Sequence, residues 1–229
     1  MKRNKLFTYI FLLFLFLSSC KENEIEFYNQ TTRINFKTPS VFYTFRDVDY
    51  LKNNTISDVE VEFQLQGLLL KSPKDFVIKE KLDEDNKNKA EVIVESKYTF
   101  SNLDVNYQKV NIKVKMPKKP SKEYCKTTLE FDINNSEHQF EPGRVDMSTC
   151  EVNVGYKLLT STNIWSIITW GEYSDAKYFF MIDHFKAVYK DIPTDKESIL
   201  GLINKYEEYK KTNGPILDDE GKEIVFPKP

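Results

Sequence analysis

The feature that most constrains this chain is an alternation of apolar and polar residues, with a period of two, that recurs from about residue 25 to residue 158. Val59, Val61, Phe63 and Leu65 alternate with Glu60, Glu62 and Gln64, and Val110, Ile112, Val114 and Met116 alternate with Asn111, Lys113 and Lys115. Ile34 and Phe36 flank Asn35. Leu129, Phe131 and Ile133 flank Glu130 and Asp132, and Val152, Val154 and Tyr156 continue the pattern after Cys150. Successive strand side chains point to opposite faces, so strict alternation gives one packed and one wet face, as in antiparallel sheets. Turn-like stretches separate the runs: Asn53-Asn54, Ser72-Pro73, Asp83 to Asn86, Pro117 to Pro120, Asn134-Asn135 and Pro142-Gly143. About seven strands at this spacing predict a mainly β fold, an immunoglobulin-like antiparallel β-sandwich over residues 27–158. The 17 Phe and 13 Tyr suit half-buried strand positions, so this richness reads as β-core rather than as a ligand-stacking surface.

The pattern changes after Trp165. Ser174 to Ile182 reads as a helix capped by Ser174, with Asp175 beside the positive end of its dipole, or as a buried strand, because its apolar run is nearly continuous. Thr194-Asp195-Lys196-Glu197 is a capping-box pattern, and Ile199, Leu200, Ile203 and Tyr206 follow at helical spacing. Lys205, Lys210 and Lys211 lie late, and Asn213-Gly214-Pro215 stops the run. The pattern predicts a helix over 195–212. Ile216 to Phe226 reads as a hairpin with Gly221 at the residue needing positive φ. Residues 159–229 are therefore expected to form a small α-helical C-terminal appendage with a terminal hairpin.

The N-terminus has the layout of a bacterial lipoprotein leader. Lys2, Arg3 and Lys5 precede an apolar run from Leu6 to Leu17, broken only by Thr8, and then comes Leu17-Ser18-Ser19-Cys20. The run is about 12 residues long, against roughly 20 for a membrane-spanning helix. Residues 1–19 are thus expected to be a signal peptide and residues 20–26 a tether lipidated at Cys20, with the protein on the periplasmic or cell-surface face of an outer membrane. The chain holds 33 Lys+Arg against 35 Asp+Glu, and loss of the leader makes the remainder more acidic. That balance argues against a nucleic-acid partner, which needs a basic face. Cys125 and Cys150 either bridge in an oxidising compartment, closing a loop of about 25 residues for about 3 kcal/mol, or remain two free, buried thiols.

Chemistry is sparse. The two histidines, His138 and His184, lie in unlike contexts, and no HExxH, CxxC or paired histidines mark a metal site. Asp183 and His184 are adjacent, so on a helix they point apart. No GxSxG elbow marks a nucleophile. Asp83-Glu84-Asp85-Asn86 and Asp218-Asp219-Glu220-Gly221 are oxygen-rich, but in the first Lys87 takes the fifth position of a calcium loop, so both read as solvated turns. No catalytic set, cofactor or metal is expected. The candidate recognition residues are Trp165, Trp170 and Tyr173, either as an exposed stacking surface or, preferably, as anchors that bury apolar area in the junction between strands and helices.

Four stretches carry a resemblance. They are Leu17-Ser18-Ser19-Cys20, the strand Val61 to Gly67, the run Trp165…Gly171-Glu172-Tyr173-Ser174…Lys177-Tyr178-Phe179-Phe180-Met181, and the closing acidic-Gly-x-x-Ile-x-Phe-Pro pattern from Asp218 to Pro227. On them the chain resembles a Bacteroidota lipoprotein family known as domain of unknown function 4843. Residues 84–90 are more polar than that pattern. The resemblance implies a surface or periplasm-facing lipoprotein, met near SusC/SusD-like systems in which a TonB-dependent barrel imports glycans or peptides captured by lipoproteins. It carries no catalytic residues. Lys21-Glu22-Asn23-Glu24 resembles the signal that sends such lipoproteins to the cell surface. The expected function is a membrane-anchored, non-catalytic accessory binding or assembly subunit, partnered by membrane lipid through Cys20, a TonB-dependent barrel and a capture lipoprotein. The rivals are a cell-surface glycan or peptide hydrolase, which needs an acidic pair about 5–10 Å apart in one cleft, and a structural or adhesive envelope protein.

Overall fold

The computed structural model describes residues 31–83, 86–158 and 165–229. Its strands are β1 (Arg33–Phe36), β2 (Ser40–Phe45), β3 (Ile56–Gln66), β4 (Lys74–Phe76), β5 (Ile78–Glu80), β6 (Val92–Ile93), β7 (Tyr98–Phe100), β8 (Tyr107–Lys115), β9 (Cys125–Phe131), β10 (Glu141–Pro142) and β11 (Thr149–Tyr156). They form a five-stranded sheet in the order β10-β1-β3-β8-β6, a four-stranded sheet in the order β2-β11-β9-β5, and a β4-β7 ribbon. With β1, β3, β8 and β6 taken as strands A, B, E and D, and β5, β9 and β11 as C, F and G, this is the immunoglobulin-like arrangement of two sheets.

The alternation explains the layering. Val59, Val61, Phe63 and Leu65 of β3 and Ile112 and Val114 of β8 are buried. On the opposite face Lys109 pairs with Glu60 across β3 and β8 at 2.7 Å. Aromatic rings fill the space between the sheets: Phe36 lies 5.1 Å from Phe63 and 4.5 Å from Phe131, and Phe63 lies 4.8 Å from Phe76. Such tilted contacts add about 0.5–1.5 kcal/mol per pair beyond area burial. Ile133 does not continue β9. The strand ends at Phe131, a turn bonds Asn135 N to Asp132 O, and Ile133 is exposed.

Two pairings are parallel rather than antiparallel. The chain leaves the first sheet after Phe36, and β2 lies beside β11 in the other, with Ser40 opposite Glu151 and Phe45 opposite Tyr156. Pro39 marks the switch: it has no N–H for a ladder, and its carbonyl accepts from Glu151 N at 2.8 Å. The short β10 runs parallel to β1. Beside it the buried Asn35 accepts from Arg144 N through Oδ1 at 2.7 Å.

The helices are α1 (Asp47–Leu51), α2 (Ile167–Trp170), α3 (Asp175–Phe185) and α4 (Lys196–Asn213). The segment after Ser174 is therefore helix and not strand, and the Ser174 Oγ caps it by accepting from Lys177 N at 3.2 Å. Helix α4 matches its predicted span, but Asp195 rather than Thr194 is the cap, since Asp195 Oδ1 accepts from Ser198 N at 2.9 Å. The terminal turn has Gly221 at φ 79° and a single bridge between Leu217 and Glu223. Helix α1, inserted between β2 and β3, has no counterpart in the sequence reading. One continuous apolar core runs from the sandwich into the helices, and residues 32–229 form one compact unit. No helix among the described residues is long and apolar enough to cross a membrane. Cys20, the leader and the tether lie outside the described residues.

Candidate functional site

The site is built where the sandwich meets the helices, and the Gly171 to Lys177 stretch makes the corner. Gly171 has φ 73°, a conformation that side chains disfavour. Trp165 Nε1 donates to the Gly171 carbonyl at 2.8 Å. The Lys177 ammonium, on a residue only 3% exposed, donates back to the carbonyls of Trp170 at 3.0 Å and Glu172 at 2.5 Å. The most distinctive motif in the chain is thus a self-bracing turn, with its lysine satisfying carbonyls of the last residue of α2 and of the turn that follows it. Trp165 and Trp170 are buried, and the Trp165 ring packs 4.9 Å from Tyr173 and 5.2 Å from Tyr189. The two tryptophans are junction anchors. Of the three candidate aromatics, Tyr173 lines a cleft.

Helix α1 ties the helices to the sandwich. The buried Tyr178 hydroxyl donates to Asp47 Oδ2 at 2.6 Å and accepts from Tyr189 N at 2.7 Å. Tyr50 donates to Asp183 Oδ2 at 3.1 Å, and its ring lies 4.5 Å from Phe179. Burial together with the neighbouring carboxylate pushes the Tyr50 hydroxyl up to about 12.

A cleft of about 570 Å³ opens beside this corner, between the end of β11, residues 173–175 and residues 218–220. Tyr173 donates to Asp175 Oδ1 at 2.5 Å. Burial raises the Asp175 pKa and the charge of Asp219 adds to the rise, while the Tyr173 hydrogen bond opposes it. Tyr156 lines the cleft, is 3% exposed, and its hydroxyl has no partner among the described residues. At the rim Asp218 Oδ1 is engaged by the backbone N–H groups of Glu220 at 2.9 Å and Lys222 at 2.8 Å, and Glu220 pairs with Lys222 at 2.6 Å. Two other depressions, of about 310 and 560 Å³, lie along β9 and the residues around Lys89. They are walled by exposed lysines and glutamates that pair with one another, such as Lys89 with Glu80 at 2.6 Å.

The other predicted residues do not converge. Cys125 and Cys150 are both free thiols, so the bridge is corrected. Cys125 stands opposite Val154, four residues along β11 from Cys150, which places the two about 13 Å apart, beyond disulfide reach. Burial pushes the Cys150 thiol up to about 11. His138 Nδ1 accepts from Val77 N at 3.1 Å, where the backbone breaks between β4 and β5. His184 lies on α3 and packs on Phe185, while its neighbour Asp183 is held by Tyr50. Among the described residues no group of three His, Cys, Asp or Glu is placed to hold a metal ion. Residues 84 and 85 of the first acidic stretch lie outside the described residues. Sequence reasoning missed Tyr156 and Lys177 as participants. Tyr156 was visible only as the last member of the β11 alternation, and Lys177 only as a fixed position in the motif.

No curated protein matches the chain. Among solved structures it is similar to the apo-form Calx CBD1 domain at 13% identity and TM-score 0.36, covering 55% of this chain and 98% of that one. A protein of unknown function from Bacteroides ovatus is similar at 10% identity and TM-score 0.37, covering 54% of this chain and 44% of that one. A two-domain protein with unknown function from Bacteroides fragilis NCTC 9343 is similar at 7% identity and TM-score 0.35, covering 56% and 46%. The model of the family described as Domain of unknown function (DUF4843) matches residues 19–187, and the chain belongs to that family.

Proposed function

We propose that the protein is a lipoprotein anchored through Cys20 that works without catalysis, as an accessory binding or assembly subunit of an outer-membrane uptake complex of the SusC/SusD-like kind. Its partners in this reading are membrane lipid, a TonB-dependent barrel and a capture lipoprotein. The leader ending in Leu17-Ser18-Ser19-Cys20 supports the anchor. The observation that carries the binding role is the junction cleft, lined by Tyr156, Tyr173, Asp175 and Asp219. Tyr173 donates to Asp175, so this carboxyl is engaged as an acceptor at the cleft wall.

A hydrolytic reading draws on one observation, that Asp175 and Asp219 line the same cleft. The two readings part in one experiment. Affinity purification of the native lipoprotein from detergent-solubilised envelope is expected to recover a TonB-dependent barrel together with a capture lipoprotein, and the Cys20→Ala variant to lose both. Recovery of neither, with release of product from envelope glycans or peptides that Asp175→Asn abolishes, would overturn the binding role in favour of hydrolysis.

A further inference from the structure

We propose that the end of the sandwich where the tether joins rests on the bilayer, with Leu68, Leu69 and Leu103 dipped into its apolar layer. This docking rests on the proposed anchor at Cys20 and adds the face that the anchored domain turns to the lipid. Its starting point is a set of apolar side chains left in solvent. Leu68 is 66% exposed, Leu69 45%, Leu103 36% and Tyr107 43%. They come from two segments that hydrogen bonds hold at one end of the five-stranded sheet. Leu68 and Leu69 follow β3, where the chain turns through Gly67 at φ 107°. Leu103 lies on the loop into β8, whose Asn106 carbonyl accepts from Leu65 N at 2.7 Å, and Tyr107 stands opposite Gln64. Single exposed leucines are common on protein surfaces, whereas several at one end mark a contact.

The occupant follows from where the tether enters. Thr32 Oγ1 donates to the Leu68 carbonyl at 3.1 Å, and Arg33 stands opposite Gln66. The residue that leads into β1 is thus fastened to the leucine turn itself. Residues 21–31 separate it from Cys20, and even fully extended they span about 40 Å. The opposite end of the sheet, at Ile56, lies about 33 Å further along β3. A domain tethered beside Leu68 therefore meets the membrane with this end far more often than with the exposed Ile167, Ile168 and Val225 of the helical end. The contact is with hydrocarbon rather than with headgroup charge, because the exposed charges beside the leucines balance: Arg33 and Lys71 against Asp104 and Glu141. Leucine gains on leaving water for an apolar phase, and a loop can insert side chains while its backbone stays at the wetted interface.

The test uses the acylated protein in phosphatidylcholine vesicles whose acyl chains carry bromine, which quenches tryptophan on contact. Trp165 and Trp170, buried at the helical end, give the baseline. Added tryptophans replace residues already exposed, Leu68→Trp in the leucine turn and Ile56→Trp at the other end of the sheet. The emission added by Leu68→Trp should be largely lost in brominated vesicles and that added by Ile56→Trp retained, with no change when anionic lipid is included. Amide exchange over residues 66–70 and 101–106 should be slower in the vesicle-bound protein than in the unacylated chain in buffer, made without its leader and with Cys20→Ala. The double variant Leu68→Glu/Leu69→Glu, at surface positions where folding is not at stake, should abolish that difference. Equal quenching at the two positions, or none for Leu68→Trp in a sample whose mass shows acylation, would overturn the docking while leaving the anchor. Slow exchange of the unacylated chain in buffer that deepens with protein concentration would assign this face to a second copy and overturn the docking. A sample bare at Cys20 would remove the anchor, and the docking with it.

Discussion

Replacing Lys177 with Met removes one ammonium and keeps the buried stem. The ammonium donates to the carbonyls of Trp170 and Glu172 from a position 3% exposed. Leaving the buried Trp170 carbonyl unmet costs about 1–3 kcal/mol, whereas the carbonyl of the exposed Glu172 can turn to water. Met recovers part of that loss, because burial already disfavours the charged amine and holds its pKa below the usual lysine value. The net expectation is a loss of about 1–3 kcal/mol, or roughly 2–12 °C in Tm for a domain of this size. The assay is urea unfolding followed by tryptophan fluorescence. Trp165 and Trp170 are the chain's two tryptophans, and both sit at this corner, so the signal reports on the element perturbed. Comparison with Lys177→Ala separates the buried stem from the ammonium, which lies 5.6 Å over the Phe226 ring centroid. A midpoint for Lys177→Met within about 0.5 kcal/mol of the parent would refute the reasoning, since surface lysines change stability by no more than that.

Gly143→Ala should cost at least about 2 kcal/mol, because a Cβ there strikes Asn35 Oδ1 and comes within 2.5 Å of the Ile34 carbonyl oxygen; thermal unfolding checks it. Denatured, unreduced mature protein should titrate two free thiols, Cys125 and Cys150, while the native protein leaves the fully buried Cys150 unreactive to a thiol reagent. Stability should fall as pH rises above about 10, where tyrosines ionise in the unfolded chain. Tyr50, up to about 12, and Tyr156, Tyr173 and Tyr178, raised chiefly by burial, stay protonated in the fold, so their contribution is fully present below about pH 10 and is lost on passing their folded values. Spectrophotometric titration should show a delayed class of tyrosines, and a single class near 10 would count against the buried assignments.

The sandwich was legible because its long strands each bury one face: from Val59 to Leu65 in β3 and from Val110 to Val114 in β8 every second residue is apolar and the pleat does the rest. What escaped depends on contacts distant in the chain. Helix α1 is five residues long, too short for a helical period, and its side chains meet α3 some 130 positions later, through Asp47 with Tyr178 and Tyr50 with Asp183. The parallel pairing of β2 with β11 follows from a sheet switch at Pro39, which sequence marks only as a break. The disulfide was suggested by compartment, whereas register decides whether two cysteines meet. Trp165 and Trp170 are buried at the junction, where their size favours burial. Lys177 defied its type: lysine is almost never buried unless paired, and here backbone carbonyls take the place of a counter-ion. The cleft was invisible for a similar reason, because Tyr156, Asp175 and Asp219 come from three separated segments that only the packed corner assembles.

The proposed anchor at Cys20 would fix where the protein meets any partner, and the intact mass of the protein isolated from its native envelope tests it most directly. The account predicts a chain beginning at Cys20 whose mass exceeds the polypeptide by attached acyl chains. An unmodified chain that retains residues 1–19 and a free thiol at position 20 would contradict it.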